Sequence, residues 1–276
     1  MTESQTRLSA FEQYLYREER ARATVEKYLR DATSFELFAA EKEWTKDLTL
    51  SWKQSLIENG FAVRSINSML ASLNAYLRFL GREDCRVKYL RVQREVYRSA
   101  EEELTKEEYQ RLLNAAESKP RLHLLLQTVC ATGIRVSELR YFTAEAVRHG
   151  EVTVRCKSKT RTILLPGKLR KKLLSWAKKQ EIRDGVIFRT REGNPLDRSN
   201  IWSEMKGLCA AAGVAKQKVF PHNLRKLFAR MFYAVEKDIA KLADLLGHSS
   251  VNTTRVYIIS TGTEHRRIME RLGLVL

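Results

Sequence analysis

Apolar residues recur at intervals of three and four through the first hundred positions. Phe11, Tyr14 and Leu15 form one set, Val25, Tyr28 and Leu29 a second, and Leu48, Trp52, Leu56 and Ile57 a third. This is the spacing of helices that bury one face. The clearest case is AVRSINSMLASLNAYLRFLG, where Ile66, Leu70, Leu73, Leu77 and Phe79 stand opposite Arg64, Ser65, Asn67 and Arg78. Gly60 and Gly81 fall where helices should stop. From Arg78 to Arg98 basic residues recur, and RVQREVYRSAEEE offers no core face, so this stretch is expected to be a linker.

A second pattern begins at Thr105. TKEE, Thr105 to Glu108, is a capping-box sequence that opens a helix, and helical periodicity continues to about Ala146. EVTVR (151–155) and RTILL (161–165) then alternate apolar and polar residues around the basic turn CKSKT, which predicts a hairpin. VIF at 186–188 is a candidate third strand. Helices return after Asp197, punctuated by Gly213, Pro221, Asp238 as an N-cap, Gly247 as a C-cap and Gly262. The expected fold is mainly α with a small antiparallel sheet, in two domains, 1–98 and 103–276. There is no internal repeat and no low-complexity segment.

Composition narrows the class. A hydrophobic content of 43% supports a packed core rather than wholesale disorder. The opening MTESQTRLSA lacks a signal-peptide layout, and the most apolar stretch, Leu124 to Ile134, is broken by Gln127 and Thr128 and is too short to span a bilayer. Cys85, Cys130, Cys156 and Cys209 lie far apart, so neither a disulfide framework nor a zinc site is signalled. A soluble, cytoplasmic protein is expected. The net charge of +17 points to a polyanionic partner, nucleic acid being the commonest. Residues 1–100 carry 17 Lys and Arg against 14 Asp and Glu, whereas residues 101–276 carry 33 against 19, so the excess is concentrated in the second part.

The sequence contains no phosphate-binding glycine loop and no metal-binding grouping of His, Cys or carboxylates. Chemistry on a phosphate would therefore fall to Arg, Lys, His and a side-chain nucleophile, with no cofactor and no metal. ATGIRVSEL places Arg135 at the start of an element with Glu138 one turn later, able to orient the guanidinium. PHNLRKLFAR places His222 and Arg225 on one face of a helix, able to share a phosphate. CKSKTRT tips the hairpin with Lys157 and Lys159. LLGHSSVNTTRVYI carries His248 after a glycine cap and Tyr257 nine residues on, among Val251, Val256 and Ile258. Taken singly, these are a surface ion pair, a solvated helix end, an exposed turn, an ordinary cap and a packing tyrosine.

Taken together, in this order and at these separations, they resemble the tyrosine recombinase family, the phage integrase and Xer-like site-specific recombinases. The resemblance is strong over about 103–276; residues 1–98 match in character, as a small helical core-binding domain. It implies catalytic roles for Arg135, Lys157, His222, Arg225, His248 and Tyr257. The hairpin departs from the family's GKGxKxR pattern, which leaves Lys157 or Lys159 as the acid, with Lys157 favoured. The implied chemistry cuts and rejoins duplex DNA through a 3′-phosphotyrosyl link, without metal or ATP. The implied partners are duplex DNA with specific core sites, a homo-tetramer on two paired sites and accessory DNA-bending proteins, with no membrane and a nucleoid-associated location. Arg64, Ser65, Asn67, Lys159 and Arg161 are further candidates for DNA contact. The two domains would clamp the duplex, joined by a linker near 91–102, in a minimal form without an added arm-binding module. The C-terminal EHRRIMERLGLVL, ending in Leu272, Leu274, Val275 and Leu276, would dock on a neighbouring protomer or pack on its own domain. A type IB topoisomerase and a non-catalytic DNA-binding regulator are the competing functions.

Overall fold

A computed structural model of the chain describes residues 3–40, 42–91, 102–156, 159–258 and 270–271, with the backbone alone for Cys156 and Lys159. Lys157, Gly262 and nearly all of the C-terminal segment lie outside the described residues, as does the linker from 92 to 101. The chain divides into two compact units, Met1–Arg94 and Glu95–Leu276. Among the described residues it is mostly helical with one two-stranded antiparallel sheet. No helix among them is long and apolar enough to cross a membrane.

The first unit contains α1 (Glu3–Arg17), α2 (Arg22–Ala39), α3 (Lys46–Glu58) and α4 (Val63–Phe79). Helix α4 is its centre, because its apolar stripe of Ile66, Leu70, Leu73 and Leu77 is fully buried. One side of the core is built on Phe11, Val25 and Tyr76, the other on Phe35, Trp52 and the α4 leucines. The chain just ahead of the expected linker belongs to this core. Cys85 and Val87 are buried, and the chain from 85 to 90 is strapped down by side chains of α3 and α4. Asn74 pairs with both the N–H and the C=O of Val87 at 2.9 Å, and Asn67 does the same to Leu90 at 2.8 and 2.9 Å. Thr49 and Lys53 donate to the carbonyls of Cys85 and Lys88. Periodicity missed this because side-chain amides, not apolar residues, hold the segment.

In the second unit α5 (Lys106–Ala115) opens with the expected capping box, with both the Thr105 and Glu108 bonds made. Helix α6 (Pro120–Thr132) buries leucines on several sides and stops at Gly133. The periodicity beyond it is not one helix: a 3-10 turn, Val136–Tyr141, precedes α7 (Ala144–His149). Strands β1 (Glu151–Cys156) and β2 (Lys159–Leu164) pair in the order Val152↔Ile163, Val154↔Arg161, Cys156↔Lys159. VIF does not form a strand; Val186 makes only an isolated bridge to Thr143, and Ile187 and Phe188 are buried in the core. Then come α8 (Gly167–Lys179), α9 (Arg198–Lys206), α10 (Cys209–Ala212), α11 (Pro221–Glu236), α12 (Ile239–Leu246) and α13 (Val251–Arg255). Asp238 caps α12 by accepting from the N–H groups of Ala240 and Lys241. Helix α11 packs along α6, and Asn223 and Arg230 tie the start of the unit at Glu102, Glu103 and Leu104 to it.

Candidate active site

Two helix ends meet where α6 and α12 finish. Gly133 and Gly247 both adopt left-handed φ, +62° and +63°. At Gly133 a Cβ would lie 2.3 Å from the ring of Phe228, and at Gly247 one would lie 2.5 Å from Cδ of Arg161. Any side chain at either position meets both a strained backbone and an occupied space. These caps leave terminal carbonyls facing inward, and helix C-termini favour cations.

Arg225 uses that opening. It is 1% exposed, so it is no solvated helix end, the reading its motif allows when taken singly: the residue points down from α11 between the two caps. Its guanidinium donates to the carbonyl of Gly133, to that of Leu246 at 2.6 Å, and to His248 Nε2 at 3.0 Å. Burial first, and the nearby charge of Arg135 second, push its pKa down to about 10, against opposing help from Tyr257 and Glu138. It remains protonated at neutral pH.

Arg135 follows Gly133 by two residues. Glu138 holds it as the sequence suggested: one carboxylate oxygen accepts the backbone N–H at 2.8 Å, the other the guanidinium at 3.1 Å. A second guanidinium nitrogen reaches the carbonyl of Gly247 at 3.5 Å. The Arg135 side chain keeps 36% of its surface exposed. The two arginines thus differ, one deep and one accessible, on either side of the same pair of caps.

His248 leaves the cap of α12 with Nδ1 2.8 Å from the buried hydroxyl of Thr254. Because Arg225 can only donate, Nε2 is the acceptor and Nδ1 carries the proton, an assignment from the network. Burial, then the charges of Arg225, Arg135 and Arg161, lower its pKa to about 4. It is a neutral imidazole at pH 7.

Tyr257 lies in the turn just after α13, its N–H bonded to the carbonyl of Thr254. It is 7% exposed. Its ring centroid lies 5.1 Å from that of His222 and 5.2 Å from that of His248, edge-on to both. Five of the six expected residues, Arg135, His222, Arg225, His248 and Tyr257, therefore converge; Lys157 lies outside the described residues. The backbone of Lys159 opens β2 opposite Cys156. Of the other DNA-contact candidates, Arg64 and Ser65 are exposed in the first turn of α4. Asn67 is spent on the backbone of Leu90, and Arg161 is paired with Glu138 at 2.6 Å, so neither stands free to meet DNA.

One participant escaped the sequence, Thr254, whose hydroxyl accepts from Nδ1 of His248, and Arg161, expected as a DNA contact, instead braces the site from within. The signal for Arg161 was its phase, two residues from buried Ile163 on the core-facing side of a strand. Chemically the cluster sets three arginines, 135, 161 and 225, against one carboxylate, Glu138, and places a phenol beside two imidazoles. Such an arrangement can attract an oxyanion, and a phenol in this position can act as a nucleophile.

Comparison with known proteins identifies the family. Residues 102–264 match the model of the phage integrase family, and residues 8–84 that of the phage integrase N-terminal SAM-like domain. Tyrosine recombinase XerA of Thermococcus kodakarensis is 29% identical, with 100% of this chain and 98% of that protein covered. Among solved structures, a lambda integrase dimer bound to a COC′ core site superposes with a TM-score of 0.73 at 20% identity, covering 92% of this chain and 76% of that one. A lambda integrase tetramer bound to a Holliday junction gives 0.72 at 21% identity, with the same shares covered. The chain belongs to the phage integrase family and is a tyrosine-type site-specific recombinase.

Proposed function

We propose that this recombinase cuts and rejoins duplex DNA with Tyr257 as nucleophile, Arg135 and Arg225 as the phosphate clamp, and a hairpin lysine, Lys157, as the acid. The observation that carries the assignment is the placement of Tyr257, edge-on to both histidines and close enough to Arg225 to raise that residue's pKa. In-line attack by Tyr257 Oη forms the tyrosyl O–P bond as the bond from phosphorus to the 5′-oxygen breaks. The phenol proton passes to His222, and Lys157 gives a proton to the departing 5′-oxygen. Charge that builds on the nonbridging oxygens is met by the guanidinium of Arg135 and by Arg225, held rigid by its carbonyl partners. The phosphotyrosyl bond conserves the energy of the broken one, so a 5′-hydroxyl reverses the step without ATP.

His248 changes role as the phosphate arrives. Its low pKa comes partly from surrounding cations, and an anion among them offsets that field. Its Nε2 then takes a proton and donates to the phosphate instead of accepting from Arg225.

Duplex DNA with core sites is the proposed partner, consistent with the +17 charge and with the DNA-bound lambda integrase structures. By the same likeness, chains would pair on one core site and assemble as four across two. Arg64 and Ser65 remain candidates for contact from the first unit. The location proposed is the cytoplasm, at the nucleoid.

The test uses nicked duplexes whose cleavage traps the enzyme, drawn from a random-sequence library so that covalent capture also reveals the site. In EDTA the chain should form an adduct that survives denaturation, and Tyr257→Phe should form none. An adduct of undiminished yield from Tyr257→Phe overturns the assignment. Relaxation of supercoiled DNA without paired sites would favour a topoisomerase, and binding without any adduct a regulator.

A further inference from the structure

Strand β2 carries a charged residue at its middle, Arg161, in phase with its buried positions. Position 161 pairs with Val154 and position 163 with Val152, on the face where Val152, Val154 and Ile163 are buried. Side chains on such a face are normally apolar. Arg161 is there, its side chain 14% exposed, and its guanidinium joins three parts of the site. One nitrogen donates at 2.6 Å to Glu138 Oε2, the same oxygen that accepts the Arg135 backbone N–H at 2.8 Å. Another donates to the carbonyl of Leu245 in the last turn of α12. Its Cδ and Nε lie against Gly247, where a Cβ would come within 2.5 and 2.7 Å of them. Thus one side chain from the hairpin grips both the carboxylate that orients Arg135 and the helix end that carries His248.

We propose that Arg161 is a positioning residue that locks the β1–β2 hairpin to the phosphate clamp, so that proton delivery to the leaving group is assembled together with phosphate binding. The proposal rests on the site assignment above, in which a lysine of this hairpin is the acid. A two-stranded hairpin is marginally stable by itself in water, and Lys157 stands four residues from Arg161. Fixing strand β2 at its middle anchors the strand that follows Lys157 in the sequence. Charge-assisted bonds to a carboxylate and a carbonyl are strong and directional, and the guanidinium fork can hold both at once where an ammonium cannot.

The test compares single-turnover cleavage of two captured duplexes, one with the ordinary 5′-oxygen at the scissile position and one with 5′-sulfur there. In the second, the Tyr257 O–P bond forms as the P–S bond breaks, and sulfur departs as a thiolate that needs no proton. Arg161→Gln should slow the oxygen substrate about 100-fold, the range of a lost general acid. It should slow the sulfur substrate by less than about fivefold, with binding unchanged. Arg161→Lys should show the same contrast at about tenfold, which keeps the test readable if the glutamine variant folds poorly. Equal slowing of both substrates overturns the proposal, since Arg161 would then act on the clamp or the fold alone. A weaker complex whose log–log salt slope falls by about 1 also overturns it, identifying a direct phosphate contact. If the unsubstituted chain forms no adduct with either substrate, the site assignment itself fails. If it forms one and Arg161→Gln keeps the same ratio of rates, only the Arg161 proposal fails.

Discussion

Each unit buries charged groups, and the two clusters differ in how their charges balance. In the first unit the buried carboxylate of Glu36 accepts from Ser4, Arg7 and Tyr76, and buried Asp31 is matched by Lys27 and Ser72. Every charge there meets its opposite. In the second unit the most buried ion, Arg225, rests on two carbonyls and a neutral histidine, with Arg135 close enough to lower its pKa. The first arrangement fixes helices. The second leaves positive charge without a carboxylate of its own, at a cost to stability, as the proposed binding of an anionic phosphate requires.

The comparison is tested most severely by removing one member of each cluster. Arg225→Ala should lower cleavage by at least about 10³-fold, as loss of a preorganised oxyanion partner does. It should cost about 1–3 kcal/mol of stability from the carbonyls left unpaired. Glu36→Gln should do the reverse, lowering the melting temperature of the first unit while leaving the cleavage rate at saturating DNA within about threefold. Thermal melts and single-turnover rates on both variants settle the matter. A Glu36→Gln enzyme as inactive as Arg225→Ala would erase the distinction.

A smaller effect is expected at Glu138, among the described residues the only carboxylate paired with these arginines. Glu138→Gln keeps the shape but removes the charge that Arg135 and Arg161 share. Cleavage should fall about 10- to 100-fold with little change in DNA affinity, because orientation rather than attraction is lost. Loss of affinity alone, with the bound rate intact, would show that Glu138 does not orient the clamp.

How much of this was legible in the sequence follows from the same contrast. The α4 stripe, the capping box at Thr105, the hairpin and the caps at Asp238 and Gly247 were all visible, because each depends on neighbours in sequence. Arg135 with Glu138 was visible for the same reason. The burial of Arg225 was not, since it depends on carbonyls 92 and 21 residues away. Nor was the strap over residues 85–90, which relies on amide side chains that periodicity scores as polar surface. Tyr257 could be named only through the company of the other motifs; its contacts with His222 and His248 are tertiary.

That strap supplies the next prediction. Asn67→Ala should cost about 1–2 kcal/mol and speed hydrogen exchange at the Leu90 amide, without changing the salt slope of DNA binding. Arg64→Ala, three residues earlier and exposed, should leave stability within about 0.5 kcal/mol. If Arg64 touches a phosphate, its loss lowers the salt slope by about 1. A salt-slope change from Asn67→Ala would return that residue to the DNA interface.

The smallest effect concerns His248, whose position among cations records that excess of positive charge directly. Its folded pKa, about 4, lies below the ordinary value of 6.5, so on acidification the unfolded chain takes up the proton first. The stability contributed by the neutral imidazole is therefore complete above about pH 6.5 and is lost as the pH falls toward 4. Replacing the residue, as in His248→Gln, should flatten that part of the stability curve relative to the unsubstituted chain. An NMR titration of the imidazole in the free chain should show its midpoint near the lower value. Bound to uncleavable DNA, the midpoint should rise, because a phosphate among Arg135, Arg161 and Arg225 cancels the field that had suppressed protonation. A midpoint that stays low in the DNA complex would mean that His248 remains an acceptor for Arg225 throughout, and that the arginines alone carry the phosphate.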